Sequence, residues 1–589
     1  MTDFHDHEIE YTDSDSCKKK DILYSLDSNG HIHLNLIPGI LRLSSKKFKT
    51  STNGFIMKEF DSIFDTFPTF MVKTNKTNDN IDKYVIVRII HLTDGITNGK
   101  KSIMGTIERY IGDVGDVEIE SKLCKIMSTC HWSRKIDKLV ERDEYYSSCV
   151  GISANDLTSD RLDMTTKMMG NNFVTVSVDP PGSLDIDDAI SIELLSDDEY
   201  QIGIHIADPS SYVIENSALD KEVAKRCESI YLSNEHIHMF PSKLSTEVFS
   251  LNHNQQSRAF SVIIRTKFQN NKWTITGKEI RKTKICVDRN MTYGQFDDEH
   301  KNKNSFNALY EIGRSLYKTI LDPDDVDSES YESKKMIEIY MIVANKIVAE
   351  TMIELCGEKG REKYLSHAII RAQILSDHQS FMKNSTNVST VNRQYVDMYN
   401  QLNRRGGELR IYSQLDQKSN KHMSLNLDTY THFTSPIRRY SDILIHRLMY
   451  NLISGKDQFK LMDSSDLLHQ LFLMNHYKKF YKQIYQLEHD IATTHHVIKI
   501  IPDPWDRIWY LNGIIINISE IKNNTLSCGQ LVVKCTGVYD CDKNVSDYLI
   551  GTLHTIKINE LMKGLMLFDN IDFKACFLSR DMRKIRSYI

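Results

Sequence analysis

The stretch VDPPGSLDIDDAI, residues 178–190, constrains the fold more than any other part of the chain. It places four aspartates, Asp179, Asp185, Asp187 and Asp188, within ten positions. The preceding NFVTVSVD (172–179) is rich in β-branched residues and reads as a strand. Pro180-Pro181-Gly182 breaks that strand and turns the chain, and AISIELL (189–195) opens another. A turn between two strands thus gathers four like charges. Carboxylates so close raise one another's pKa until one protonates. A divalent cation removes that penalty. Magnesium suits the site, because it takes a few carboxylates and completes its shell with water and substrate phosphate. On its own such a cluster is more commonly a solvated acidic loop or a calcium-type structural site.

At roughly 150 residues per domain, the 589 residues make three or four domains. With 40% hydrophobic and 26% charged residues, the composition is that of a globular protein. A net charge of -5 excludes a global basic field, but phosphate affinity depends on local patches. Eleven cysteines without a CxxC pair argue against a zinc site and a secreted disulfide framework. The N-terminus is polar and acidic, unlike a signal peptide, and no apolar run approaches the ~18 residues that span a bilayer. The expectation is a monomeric protein of the cytoplasm or nucleus, away from membranes.

Strand and turn patterns divide the chain. Residues 1–22 read as a disordered tail. Residues 23–90 and 91–160 read as two small OB-like barrels, with a hairpin turn at Asp27-Ser28-Asn29-Gly30. Residues 161–500 mix strands with long helices, among them 333–357, stopped by Gly357, and 469–491. Strands return over 505–589 as a C-terminal OB-like barrel. The fold class expected is α+β and multidomain, a mixed α+β centre flanked by small barrels.

A second stretch, YTHFTSPIRRYSDILIHRLMYNLISG (430–455), carries a helix-start pattern at Ser435-Pro436 and a stop at Gly455. That places Arg438 and Arg439 in the first helical turn, where cations oppose the dipole. The placement makes sense if an anion is held at the helix N-terminus. Two solvated arginines paired with acidic neighbours would explain it as well.

Together, VDPPGSLDIDDAI and YTHFTSPIRRYSD resemble the two motif blocks of the ribonuclease II / ribonuclease R (RNB) family, which includes the exosome catalytic subunit and its relatives. RLDM (161–164), IGIHIADPSSYV (202–213), SIYLSNEHIHMFPSKLSTEVFSLN (229–252) and KHMSLNL (421–427) follow the family's order. The resemblance covers about 160–490 and extends weakly to a cold-shock-like barrel upstream. It implies an RNB-type catalytic domain and a magnesium-dependent, processive 3′→5′ exoribonuclease. The products would be nucleoside 5′-monophosphates, released from single-stranded RNA by a two-metal mechanism in which manganese can substitute. The C-terminal barrel would bind RNA.

Carried over by position, Asp179, Asp185 and Asp188 would be the metal residues. Asp187 would be essential for the chemical step, and Arg438 would stabilise charge on the scissile phosphate. Tyr231 would stack on the terminal base, and Arg439 and Arg371 would contact RNA. His205, His432 and His446 read as structural. The family's leucine-arginine-arginine-histidine-proline block appears here as IIRAQIL (369–375), with Arg371 kept. Glu488 is the candidate for a glutamate facing the terminal nucleotide, but the register of its helix is open. A catalytically inactive RNA-binding regulator on the same fold is the alternative. The intact acidic set speaks against it.

Overall fold

The computed structural model describes residues 25–26, 32–33, 36–43, 48–50, 56–62, 70–74, 81–93, 102–129, 132, 161–170, 172–196, 198–321, 332–373, 406–412, 420–500, 508–523, 526–539, 553–557, 570–577 and 585–588. The expected tail at 1–22 lies outside them. A seven-stranded mixed sheet forms the centre. Across it run Arg289–Thr292, Phe173–Asp179, Asp188–Ser196, Glu199–Ala207, Gln256–Gln269, Lys272–Cys286 and Leu162–Met164. The two strands that flank the acidic turn pair antiparallel, Val176 opposite Ile190. Val176, Val178, Ala189, Ile190 and Ile192 are buried, so one register satisfies the core. Asp179 is the last residue of one strand and Asp188 the first of the next. Gly182 turns the loop between them at φ +83°, a conformation that favours glycine.

Ser250 fixes this loop from a distant segment. Its hydroxyl donates to the Leu184 carbonyl at 2.8 Å and accepts from the Ile186 amide at 3.0 Å. Leu251 N–H adds a bond to the Ile186 carbonyl at 3.1 Å.

Helix Ser333–Cys356 has buried residues all round, from Met336 and Ile339 to Val348 and Met352. It ends at Gly357, as its sequence predicts. Midway along it, buried Asn345 accepts from the Phe433 amide at 2.8 Å and donates to the Tyr430 and Thr434 hydroxyls at 3.0 and 3.2 Å. It thereby pins the segment that leads to the two arginines.

That segment differs from expectation. The helix after Ser435-Pro436 begins only at Tyr440 and runs to Ser454, with Gly455 at its end. Ser435–Arg439 makes one separate turn, closed by Arg439 N–H to the Ser435 carbonyl at 2.9 Å. Arg439 is extended, at φ -138° and ψ 123°, and forms a β-bridge with Glu228. The Tyr440 amide goes to the Cys227 carbonyl at 2.8 Å. Tertiary partners thus take the backbone groups that a continuous helix would use internally.

The helix expected at 469–491 spans Ser464–Ile500. Upstream, the boundary expected at 90/91 falls inside strand Lys83–Thr93. Strands between Leu36 and Asp113 make one six-stranded sheet, and Leu36–Leu41 pairs with both Lys83–Thr93 and Ile56–Ser62. Five strands thereby close into one ring where two barrels were expected. Its small core is drawn from Ile37, Leu41, Leu43, Val72, Val85 and Val87. Strands from Ile508 to Tyr588 form a closed five-stranded barrel.

A buried polar knot ties the central sheet to helix Tyr440–Ser454. Asp208, fully buried, accepts from Arg161 at 2.6 Å, from Ser210 at 2.5 Å and from the Tyr450 hydroxyl. Burial pushes its carboxyl up, but the Arg161 charge, His446 and Ser210 outweigh burial and hold it well below the usual carboxylate range. Stability from such a group is fully present above the unfolded pKa near 4 and is lost as pH falls towards the folded value. Asp208→Asn should therefore cost about 3–5 kcal/mol in chemical denaturation and flatten the loss of stability below about pH 4. A variant with the same denaturation midpoint and the same acid limb would show the knot to be dispensable.

Candidate active site

The acidic turn and the arginine turn, 250 residues apart in sequence, meet in direct contact. Asp187 Oδ1 accepts from the Ile437 amide at 2.8 Å, and Oδ2 accepts from Arg438 Nε at 3.1 Å. Its own carbonyl accepts from the Ala207 amide at 2.8 Å. Asp187 is 4% exposed. Burial pushes its carboxyl up to about 7, against the pull of Arg438 and the Ile437 amide. Both carboxylate oxygens are committed to holding the arginine turn. Arg438 donates from Nη2 to Ser435 Oγ at 2.8 Å, and its side chain is 43% exposed to the cavity beside it. Nη1 makes no hydrogen bond among the described residues.

That cavity, of about 730 Å³, is lined by Asp179, Asp185, Asp187, Asp188, Tyr231, Arg371, Arg438 and Arg439. The eight residues given metal, catalytic or RNA-binding roles by the resemblance all border it, and Glu488 does not. Tyr293, which sequence reasoning missed, also lines it. It opens the helix after Thr292, and Thr292 pairs with Asp179 in the parallel part of the sheet. Burial and the charges of Asp179 and Asp188 push its hydroxyl up to about 12. No local pattern marks this tyrosine.

Burial, then the charge of Asp185, pushes Asp179 up to about 6 against a Ser177 hydrogen bond. Burial, then Asp179 and Asp187, pushes Asp188 well above the usual range. Asp185 differs. Burial acts upward, but His238, its own backbone amide and the Tyr231 hydroxyl together lower it. Tyr231 Oη donates to Asp185 Oδ2 at 3.1 Å, and His238 Nδ1 lies 3.5 Å from the same oxygen.

The donor set suits a hard divalent cation in its chemistry. It is all oxygen, Asp179 and Asp188 are both disfavoured as anions, and Asp179 Oδ2 is buried without a hydrogen-bond partner. Among the described residues, however, no three His, Cys, Asp or Glu side chains are disposed to hold a metal together. Asp185, one of the three expected metal residues, is engaged by Tyr231.

Tyr231 is 37% exposed, on a short hairpin of Ile230–Leu232 and Glu235–Ile237. Helix Ser464–Ile500 holds this hairpin. The Tyr231 amide donates to Tyr485 Oη at 3.3 Å, and the Ser233 amide donates to Glu488 Oε1 at 2.7 Å. Glu488, whose register was open from sequence, thus supports the aromatic. His205 lies in the sheet between Ser191 and Ser261, and His446 bonds the Phe433 carbonyl at 2.9 Å. Arg371 donates to His432 Nε2. Arg439 Nη2 donates to Asp442 Oδ1 at 2.7 Å.

Residues 170–455 match the RNB domain. Ribonuclease R 2 of Lactococcus lactis is 28% identical over 434 residues, 63% of this chain and 62% of the relative. The exosome complex exonuclease RRP44 of Mus musculus is 28% identical over 421 residues, 62% of this chain and 41% of the relative. The chain thus spans less than two thirds of the length of either. Apo ribonuclease R of Mycoplasma genitalium shares the fold at a TM-score of 0.65 and 18% identity, over 94% of this chain and 89% of the other. That protein has also been solved with ribose-methylated single-stranded RNA and with double-stranded RNA. Yeast Ssd1, described as a pseudonuclease, shares the fold at 0.63 and 16% identity, over 87% and 71%. Among the described residues no helix is long and apolar enough to cross a membrane. Residues 170–455 thus make an RNB domain, and the chain is homologous to proteins named ribonuclease R and exosome exonuclease RRP44.

Proposed function

We propose that this chain is a magnesium-dependent, processive 3′→5′ exoribonuclease that hydrolyses single-stranded RNA to nucleoside 5′-monophosphates. The observation that carries the reading is the meeting of Asp179, Asp188 and Arg438 around one cavity, from segments 250 residues apart. Asp179 and Asp188 would hold magnesium. When bound, it would supply an activated water and charge stabilisation at the phosphate; the two-ion form of this chemistry carries over from the resemblance.

The chain's own residues account for the rest. Arg438 presents its free Nη1 to the scissile phosphate. Asp187 acts as a positioning residue that fixes the Arg438 guanidinium through its Nε. Tyr231 stacks on the terminal base, a contact worth roughly 1–3 kcal/mol and tolerant of sequence. We read the C-terminal five-stranded barrel as an OB-like RNA-binding module. The M. genitalium relative solved with RNA supports the substrate class.

A second reading is favoured by one observation, the shared fold with Ssd1. In it the chain binds RNA without cutting it. A 5′-labelled oligoribonucleotide with magnesium separates the two. The nuclease shortens it from the 3′ end, and a chelator stops the ladder. RNA that binds and stays whole in magnesium establishes the regulator instead.

Arg438→Ala should lower turnover about 10²–10³-fold, read in single-turnover cleavage of the same oligonucleotide. Asp188→Asn should abolish cleavage while RNA still binds. It should also remove the rise in melting temperature that magnesium gives the unmodified chain without RNA. An equal magnesium-induced rise in both proteins would place the cation elsewhere.

A further inference from the structure

A second cavity, of about 160 Å³, shares no lining residue with the acidic one and plays no part in the reading above. Its walls come from the turn before helix Ala218–Arg226, from strand Ile369–Ala372, from helix Tyr440–Ser454 and from the connection into helix Ser464–Ile500. Ile369, Leu444 and Leu448 give it a buried apolar lining.

Two charged residues on its wall are incompletely paired. Arg447 is 4% exposed. Its Nη1 and Nη2 donate to Asp220 Oδ2 and Oδ1 at 3.1 and 2.9 Å, but its Nε is buried without a hydrogen-bond partner. Asp220 has nothing left to offer that nitrogen. It also accepts from the Asn216 amide at 2.8 Å and the Tyr440 hydroxyl at 3.3 Å, which fills the lone pairs of both oxygens. Glu215 Oε1 accepts from the Lys460 amide at 3.0 Å, while its Oε2 is buried without a partner. Among the described residues no ion pair joins Glu215 to Arg447. The cavity thus keeps one open donor and one open acceptor. Buried groups left open in this way call for an occupant.

The rest of the lining narrows its chemistry. Lys460 and Asp463 are exposed at the cavity, and neither side chain makes an ion pair among the described residues. His367 is engaged at both ring nitrogens, with Ser366 Oγ at 3.0 Å and the Met462 carbonyl at 2.7 Å. An anion alone would meet Glu215, and a cation alone would meet the Arg447 guanidinium. A molecule carrying both charges answers both open groups. The cavity has the volume of about five waters at ~30 Å³ each and is well below the ~300–1,000 Å³ of drug-sized sites, so the occupant is small.

We propose that this cavity binds a small aliphatic α-amino acid. Its carboxylate faces Arg447 Nε and Lys460, its ammonium faces Glu215 Oε2 and Asp463, and its side chain covers Ile369, Leu444 and Leu448. The site is separate from the RNA cavity, and the proposal does not depend on the nuclease reading.

The test is isothermal titration calorimetry of the full chain, without RNA or metal, using millimolar L-leucine and L-valine. At least one of them should bind saturably and raise the melting temperature. Two fragments of leucine serve as controls: 4-methylpentanoate lacks the ammonium and 3-methylbutylamine lacks the carboxylate. Each should bind at least about tenfold more weakly, having lost a charged hydrogen bond. Glu215→Gln keeps an acceptor for the Lys460 amide but removes the charge, and should weaken the amino acid roughly ten- to a hundredfold. Lys460→Gln, on the exposed side, should weaken it about two- to fivefold. If neither amino acid gives heat or a rise in melting temperature, the cavity holds water only and the proposal is overturned. Equal binding of either fragment overturns it as well, and so does unchanged affinity in a folded Glu215→Gln. Should that variant fail to fold, unchanged affinity in Lys460→Gln has the same force.

Discussion

The Asp187 carboxylate is the joint on which the site depends. One oxygen holds the backbone of the arginine turn and the other holds the arginine itself. A buried carboxylate is expensive to keep charged, and burial pushes this one up to about 7. The fold offsets that cost with an amide and a guanidinium aimed at the two oxygens. The same bonds that make Asp187 tolerable place Arg438 at the rim of the cavity. Removing either partner would leave the other buried or unanchored, so the two segments specify each other.

Charge is sorted across the cavity. On one side Asp179 and Asp188 crowd each other, and both are less willing anions than a free aspartate. Arg371 and Arg439 line the same cavity, and burial with the Arg439 charge makes Arg371 a less willing cation than usual. Neither side is at ease alone. Such opposed strain is characteristic of sites that bind charged ligands, where the ligand supplies what the protein omits. Arg438 sits between the two sides, neutralised by Asp187 yet with one nitrogen free.

Much of this was legible in the sequence, and the rest was hidden for one recurring reason. The two strands around the acidic turn and Gly357 and Gly455 as helix stops follow from local patterns, whereas the separate role given to Arg438 came from the family resemblance. Ser250, Asn345 and Tyr293 do not. Each acts on a partner far away in the chain, and none belongs to a local motif. The late start of the helix at Tyr440 has the same origin. Ser435-Pro436 is a sound helix-start pattern, but the Cys227 carbonyl and the Glu228 backbone claim the next groups. The expected pair of upstream barrels failed because strand patterns show where strands lie and not which strands share a sheet.

The helix Ser464–Ile500 is a single rod of 37 residues, about 55 Å long. Tyr485 and Glu488 both ride on it, so the hairpin that carries Tyr231 hangs from two points of one support. Their spacing is set by helical pitch rather than by separate adjustment of two loops. A kink between residues 485 and 488 would move both anchors at once, so the pitch of this helix sets where the Tyr231 ring stands at the cavity.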